Sequence, residues 1–355
     1  MGASAMEGTN ASPAAGRVVH PEFTGSTSEY FRLWVVNLLF TLVTLGVFSA
    51  WAKVRKKKYF YGNTRIDGDT PDYFARPEAI LKGRIAAAII VGIYLLCGEV
   101  YPESSTMFWA AGLLLLPWLA TRALMFNARN SAFRGVRFDF TASGLQAAAR
   151  FWWRLIIVAI TGGIALPWFL ARLKEFVMSR HTYGISSFEC KLSAGAYYRL
   201  YLRAFGLSIL LAIPLGVIVA IVYPLVKDRM AGLPSWLLVA LPLISTYIIY
   251  AIAYAYQQAR IGNLGWNNCK LPGVRFECTL GAIDLAKLYF GNLIAIACSA
   301  GLLIPWAVVR TYRYRLSRFA LMVDDEVVYQ ANPALAGVGA AGQELGDLLN
   351  LDLGI

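Results

Sequence analysis

Seven stretches of the chain are apolar enough to be withdrawn from water, and that feature limits the fold more than any other. They cover residues 31–51, 85–97, 107–124, 151–168, 204–225, 233–256 and 288–306, each near the roughly 20 residues a membrane-crossing helix needs. The averages agree. Hydrophobic residues make up 58% of 355 positions and charged residues 15%, with a mean hydropathy of +0.53. Soluble domains stand nearer about half and a quarter. A soluble enzyme, a disordered chain, a coiled coil and a disulfide scaffold are thereby excluded. The expectation is an all-α polytopic membrane protein with about seven hydrophobic helical segments.

Charge supplies a direction. The 33 Lys and Arg against 21 Asp and Glu leave +12, and in a membrane protein such an excess reports topology before any nucleic-acid partner. Residues 52–84 carry nine basic side chains, 122–150 five, 172–203 six, 257–287 four, and four follow Trp306, whereas 100–106 carry none and 226–232 two. Strict alternation of seven spans with a cytoplasmic C-terminus would place the 172–203 and 257–287 segments outside, against the bias of the rule.

An internal repeat offers another arrangement. Segments 23–58, 140–175 and 278–313 align, and the same columns recur in each. Glu29, Gln146 and Asp284 share one column, and Asn37, Arg154 and Asn292 share the next. Thr44, Thr161 and Ser299 come after them, then Gly46, Gly163 and Gly301. Trp51, Trp168 and Trp306 close the apolar part, and Arg55, Arg172 and Arg310 follow. The central Gly, joined by Pro167 and Pro305 in two copies, breaks a helix, and broken backbone at membrane depth needs protein or water around it. Two readings stay open: re-entrant or kinked hairpins that enter and leave on the cytoplasmic side, or full spans.

Between the apolar stretches lie short polar pieces with Gly and a following Phe: Asn63…Gly68…Phe74, Asn130…Gly135…Phe138, His181…Gly184…Phe188 and Asn268…Gly273…Phe276. A fifth piece, 319–329, alternates around Asp324-Asp325. All fit β-hairpins, which predicts a small cytoplasmic β-rich layer. Residues 1–22 are expected to be a disordered tail, 23–331 the membrane domain, and 332–355 weakly ordered, with a short amphipathic turn near 345–353.

The marked columns carry the site candidates. Ser26-x-x-Glu29 and Ser143-x-x-Gln146 read as helix caps before they read as proton handlers. Asn37, Arg154 and Asn292 fall about two turns inside apolar segments, where a polar group must find a partner. They are candidates for a polar cluster around a substrate, or for hydrogen bonding between helices. Trp51, Trp168 and Trp306 sit where an interfacial belt would be. Arg55, Lys56, Lys57, Lys58, Arg172 and Arg310, together with Lys53, form a juxtamembrane basic set suited to anionic lipid. Gly46, Gly163 and Gly301 are the candidate repeat turns.

Catalysis finds no support. There is no GxSxG, Walker loop, HExxH or helix-opening GxGxxG. Two histidines and five cysteines without CxxC spacing argue against a bound metal, haem or iron–sulfur cluster. No cofactor, no metal, no enzymatic activity and no nucleic-acid partner are expected. Membrane lipids, anionic ones above all, are the expected partners, and the sequence leaves room for a homo-oligomer.

The stretches Phe23-Thr-Gly, Tyr30-Phe-Arg-Leu-Trp-Val-Val-Asn37, Thr44-Leu-Gly-Val-Phe-Ser-Ala-Trp51-Ala-Lys-Val-Arg55 and Tyr59-Phe-Tyr-Gly-Asn63-Thr64 resemble the YjgN-like family of bacterial inner-membrane proteins. So do Lys82-Gly-Arg84 and Arg134-Gly-Val-Arg-Phe138. The resemblance covers roughly residues 20–330 and implies a multi-pass protein of the bacterial cytoplasmic membrane. It carries over no catalytic residue. The functional expectation is transport or translocation of a small solute or lipid. The alternative is a non-transport membrane module that binds anionic lipid or a partner through its basic cytoplasmic face.

Overall fold

The computed structural model describes residues 16–101, 103–227 and 235–324. Its elements alternate short strands with helical hairpins. β1 (Arg17–Val19) and β2 (Glu22–Phe23) precede α1 (Thr27–Val43) and α2 (Ser49–Gly62). β3 (Thr64–Arg65) and β4 (Asp72–Tyr73) lead into α3 (Pro77–Val100) and α4 (Ser104–Arg129). β5 (Ser131–Phe133) and β6 (Val136–Phe140) lead into α5 (Gly144–Ile160) and α6 (Leu166–Ser179). β7 (His181–Tyr183), β8 (Ser186–Ser187) and β9 (Glu189–Cys190) lead into α7 (Ala194–Lys227) and α8 (Ser235–Asn267). β10 (Cys269–Leu271) and β11 (Val274–Cys278) lead into α9 (Ala282–Cys298) and α10 (Ile304–Ser317), and β12 (Phe319–Val323) follows.

Two expectations are corrected here. The chain is mostly helical but not all-α. The apolar stretches number seven, yet the helices described number ten, because 31–51, 151–168 and 288–306 each break into two. Among the described residues, three helices are long and apolar enough to cross a membrane: Pro77–Glu99, Thr106–Arg129 and Ala194–Ile218. Residues 17–19, assigned from sequence to the tail, pair with β12. The arm expected at 326–329 lies outside the described residues, as do residues 1–15 and 332–355 and most of the loop at 226–232. β12 carries β1 on one edge and β11 on the other.

Each helical hairpin is closed at its base by an antiparallel strand pair: β2 with β3, β4 with β5, β6 with β7, β9 with β10, and β11 with β12. One backbone hydrogen bond recurs beside every pair. The amides of Thr24, Phe74, Thr141, Lys191 and Thr279 donate to the carbonyls of Asn63, Asn130, Arg180, Asn268 and Arg318, at 2.9, 2.8, 2.9, 3.2 and 2.9 Å. Both ends of every helical hairpin therefore lie at one end of the molecule.

The turns between hairpins join four of these pairs into two five-stranded sheets, ordered β4-β5-β6-β7-β8 and β1-β12-β11-β10-β9, while β2 and β3 remain a separate two-stranded sheet. Asp67-Gly68 and Arg134-Gly135 both have positive φ, as tight hairpin turns require. The Arg134 guanidinium ties the two turns together by reaching Asp67 at 2.8 Å and Asp69 at 2.5 Å. Val136 and Tyr183 of one sheet pack on Leu271 and Val274 of the other, within a collar of Phe133, Phe138, Phe188 and Phe276. The β layer is thus a small sandwich with its own core.

The helices close into a ring in which each packs on its neighbours in sequence and α10 returns to α1. Side chains of the second arms also meet in succession. Phe126 of α4 joins Ala50 and Val54 of α2, and Val177 of α6 joins Leu124 and Ala128 of α4. Leu264 of α8 joins Ala171 of α6. Tyr314 of α10 joins Ala255 and Ala259 of α8, and Tyr312 of α10 returns to Phe60 of α2. Each first arm packs against the second arm of the neighbouring hairpin.

A bond that the cysteine spacing did not reveal joins Cys190 to Cys269. Register explains it, because the two residues are direct partners on β9 and β10. His181 on β7 is largely buried beside Phe140, with Nδ1 at 2.8 Å from the Val177 carbonyl. Burial pushes its pKa down from 6.5 to about 4, which the hydrogen bond to Val177 only partly offsets. The unfolded chain then binds a proton between those values that the folded chain refuses, so stability is present above pH 6.5 and falls toward pH 4. Thermal unfolding in detergent should lose about 2–3 kcal/mol across this window in the wild type. In His181→Phe that part of the slope should be absent. An equal slope in both proteins would show that His181 is not buried neutral.

Candidate functional site

The three short hairpins are α1/α2, α5/α6 and α9/α10, each with 17 residues, a tight turn and 14 residues. Their turns match atom for atom. Gly46, Gly163 and Gly301 have φ of +93°, +90° and +91°. Their amides donate back to Thr41, Val158 and Ile296 at 2.7, 2.8 and 2.9 Å, the long bond of a Schellman C-cap. The residue before each Gly donates to Leu42, Ala159 or Ala297. Thr44, Thr161 and Ser299 then serve both helices. Their hydroxyls donate to the first helix, at Phe40, Ile157 and Ile296. They also accept from the amides of Phe48, Ala165 and Leu303, at 2.9, 3.2 and 3.0 Å. A turn that satisfies its own amides can be placed in hydrocarbon. Its flanking side chains suit that setting: Leu45 is 96% exposed, Ile160 80% and Leu302 58%.

Ser26 and Ser143 do cap their helices, accepting from Glu29 and Gln146 amides at 3.2 Å in both cases. Asp284 sits 3.6 Å from Arg318 at the hairpin base. The column thus holds two cap positions and one ion pair.

Folding back at Gly brings the Asn and Arg columns level with each other, and the three hairpins resolve this level differently. In α9/α10, Arg310 Nη1 donates to Asn292 Oδ1 at 3.3 Å and the guanidinium lies 4.9 Å from the Trp306 ring. Asn292 is 7% exposed and is fixed in turn by Thr311 Oγ1 at 2.9 Å and the Ala307 carbonyl at 3.3 Å. In α1/α2, Arg55 lies over Phe48 at 5.1 Å. Asn37 is equally buried there, and its Oδ1 has no hydrogen-bond partner among the described residues. In α5/α6, Arg154 leans on Trp168 at 6.0 Å, and Arg172 pairs with Glu175 at 2.6 Å. Glu175 also accepts from the Leu192 amide at 3.2 Å.

The three short hairpins are not all mutual neighbours. α1 packs on α10, which brings the first and third hairpins together, while α5 packs on α4 and α6. Nor do the lysines form one solvated face. Lys57 donates to Asn127 Oδ1 at 3.0 Å and lies over Tyr73, whereas Arg55, Lys56 and Lys58 are exposed. Sequence reasoning missed Thr311, which orients Asn292, and Lys174, which packs against Gly265 of α8. Burial, reinforced by nearby Arg315, lowers the Lys174 pKa. Among the described residues no group of His, Cys, Asp and Glu could hold a metal ion.

A family model described as "Bacterial protein of unknown function (DUF898)" matches residues 19–348. The chain belongs to this family. Its curated relatives include "Inner membrane protein YjgN" of Salmonella typhimurium, 28% identical over 145 residues, covering 41% of this chain and 36% of that one. The Escherichia coli K12 protein of the same name is 27% identical over 150 residues, 41% of this chain and 35% of its own. The aligned region spans about a third of the length of these relatives. No solved structure matches. Family membership bears out the resemblance read from the Asn…Thr-Leu-Gly…Trp…Arg columns, and the relatives are inner-membrane proteins by name.

The unequal hydrogen bonding of the two asparagines gives opposite mutational signs. Asn292→Leu removes the bonds to Arg310, Thr311 and the Ala307 carbonyl and should cost about 1–2 kcal/mol of stability. Asn37→Leu removes a buried oxygen without a partner and should be neutral or stabilising. Thermal unfolding of both variants in detergent checks this, and equal losses would contradict it.

Proposed function

We propose that the protein is a multi-pass module of the bacterial inner membrane that engages phospholipids of the cytoplasmic leaflet. The observation that carries this is the pair of features at each short hairpin: a self-satisfied apolar turn and a basic level beneath it. From Asn37 to the turn is about eight residues, or roughly 12 Å of helix, less than half of the ~30 Å hydrocarbon core. With Arg55, Arg172 and Arg310 at the headgroups, the turns stop inside one leaflet. Trp51, Trp168 and Trp306 then lie one turn deeper than the arginines, as an interfacial belt does. Identical helix lengths and turn bonds support reading the three hairpins as copies of one module.

A path for a soluble solute fits less well. Three of the five second-arm helices have 14 residues, about 21 Å, short of the ~30 Å hydrocarbon core. Lipid translocation is the second reading, favoured by half-depth hairpins standing beside α3/α4 and α7/α8, which are long enough to span. The positive-inside bias supports a cytoplasmic strand end. The Cys190–Cys269 bond argues for the opposite face, since disulfides persist in oxidising compartments.

Thiol labelling separates the orientations. Ser186→Cys and Lys270→Cys, in a background without Cys97 and Cys298, should react from the cytoplasmic side alone, and Tyr101→Cys from the periplasm. Periplasmic labelling of positions 186 and 270 would contradict the proposal.

A further inference from the structure

Only one of the three arginines at the headgroup level is both fixed and unneutralised. Arg172 has its carboxylate in Glu175. Arg55 rests on Phe48 above a buried Asn37 that does not hold it. Arg310 is held on three sides: by Asn292 Oδ1, by the Trp306 ring, and by α9 at Gly291, where a Cβ would stand 3.3 Å from Nη1. A side chain at position 291 would crowd the guanidinium, so the missing one is what lets it lie along α9. Asn292 cannot swing away, because Ala307 and Thr311 fix its amide. Yet no carboxylate of the described residues lies within ion-pair distance of Arg310, and the residue is exposed.

A planar guanidinium whose orientation is set and whose outer N–H groups face outward is prepared for a two-pronged oxyanion, a carboxylate or a phosphate. The surroundings choose between them. Toward the turn, exposed Ile294, Leu302 and Leu303 continue the surface. Toward the base, Arg313 adds a second positive charge on the same helix. A ligand lying along this face would have an apolar part above Arg310 and an anionic part on it, which is the polarity of a phospholipid and not of a free anion.

The geometry points to Arg310, with Asn292 and Trp306, as a stoichiometric site for the phosphodiester group of one phospholipid, its acyl chains running over Ile294 and Leu303 toward the turn. This rests on the lipid-engaging reading but is narrower. That reading needs the turns and the basic level of all three hairpins, and the site needs only the third.

Native mass spectrometry of the full-length protein in detergent, titrated with dihexanoyl phosphatidylglycerol, tests it. The wild type should hold one tightly bound lipid. Arg310→Met should weaken it about 10-fold or more, and Arg310→Lys, which keeps the charge but not the fork, several-fold. If Arg310→Met does not fold, Arg310→Lys carries the test. Inorganic phosphate should fail to displace the lipid at matched concentration. Unchanged binding in either folded variant, or displacement by inorganic phosphate, overturns the site. The broader reading is scored separately by the association of Lys56→Ser/Lys58→Ser with anionic vesicles. That variant should keep the single Arg310 site while its vesicle association weakens.

Discussion

Everything above the strand layer depends on one backbone hydrogen bond made five times. It runs from the position three residues ahead of each first helix to the residue after each second helix: Thr24 to Asn63, Phe74 to Asn130, Thr141 to Arg180, Lys191 to Asn268 and Thr279 to Arg318. Helix pairs held this way cannot send their two ends to opposite faces of a membrane. The strands that flank these bonds would be too short to persist alone, since β2, β3 and β4 have two residues each. β4 persists within two five-stranded sheets whose inner faces share one core, and β2 with β3 is held by the packing of Phe23 on Phe60 and Tyr312. The sandwich anchors the helical hairpins, and the hairpins bring its strands together.

A second constraint acts at the far end of the short hairpins. A chain that reverses direction inside hydrocarbon exposes amides with no water to bind, each costing several kcal/mol if unpaired. The Thr-x-Gly turn answers this with local chemistry. A hydroxyl accepts the amide that the second helix would leave unpaired, and a left-handed Gly lets two more amides reach back into the first helix. The hairpin can then be short, and its shortness sets its arginines level with its asparagines. The chemistry of that level differs among the three short hairpins: a closed Asn–Arg bond, an open Asn beside a displaced Arg, and an Arg already neutralised by Glu175.

Much of this was legible in the residues, and the parts that were not share a cause. The columns Thr44/Thr161/Ser299 and Gly46/Gly163/Gly301 stood out because a turn written in local bonds leaves a local signature. The hairpins at Gly135, Gly184 and Gly273 were legible for the same reason, as were the Ser26 and Ser143 caps. Long-range pairing leaves none. β1 joining β12, Cys190 meeting Cys269, and Lys57 turning to Asn127 are consequences of sheet register and helix packing across 50 or more residues. The seven apolar segments yield ten described helices because hydropathy registers apolar length, and only the Gly columns mark the breaks. Asn37 and Asn292 occupied one column and promised one role, yet only the packing around Thr311 and Gly291 distinguishes them.

The central claim is that the three short turns lie at one shallow depth in one leaflet. Spin labels at positions 45, 164 and 303, in the protein reconstituted into phosphatidylglycerol-containing liposomes, read that depth directly through collisions with dissolved oxygen and with a water-soluble nickel chelate. All three should report about 10–13 Å below the phosphates of the same leaflet. Depths near the opposite headgroups, or a turn accessible to chelate from the far side, would show that the segments span and would contradict the account.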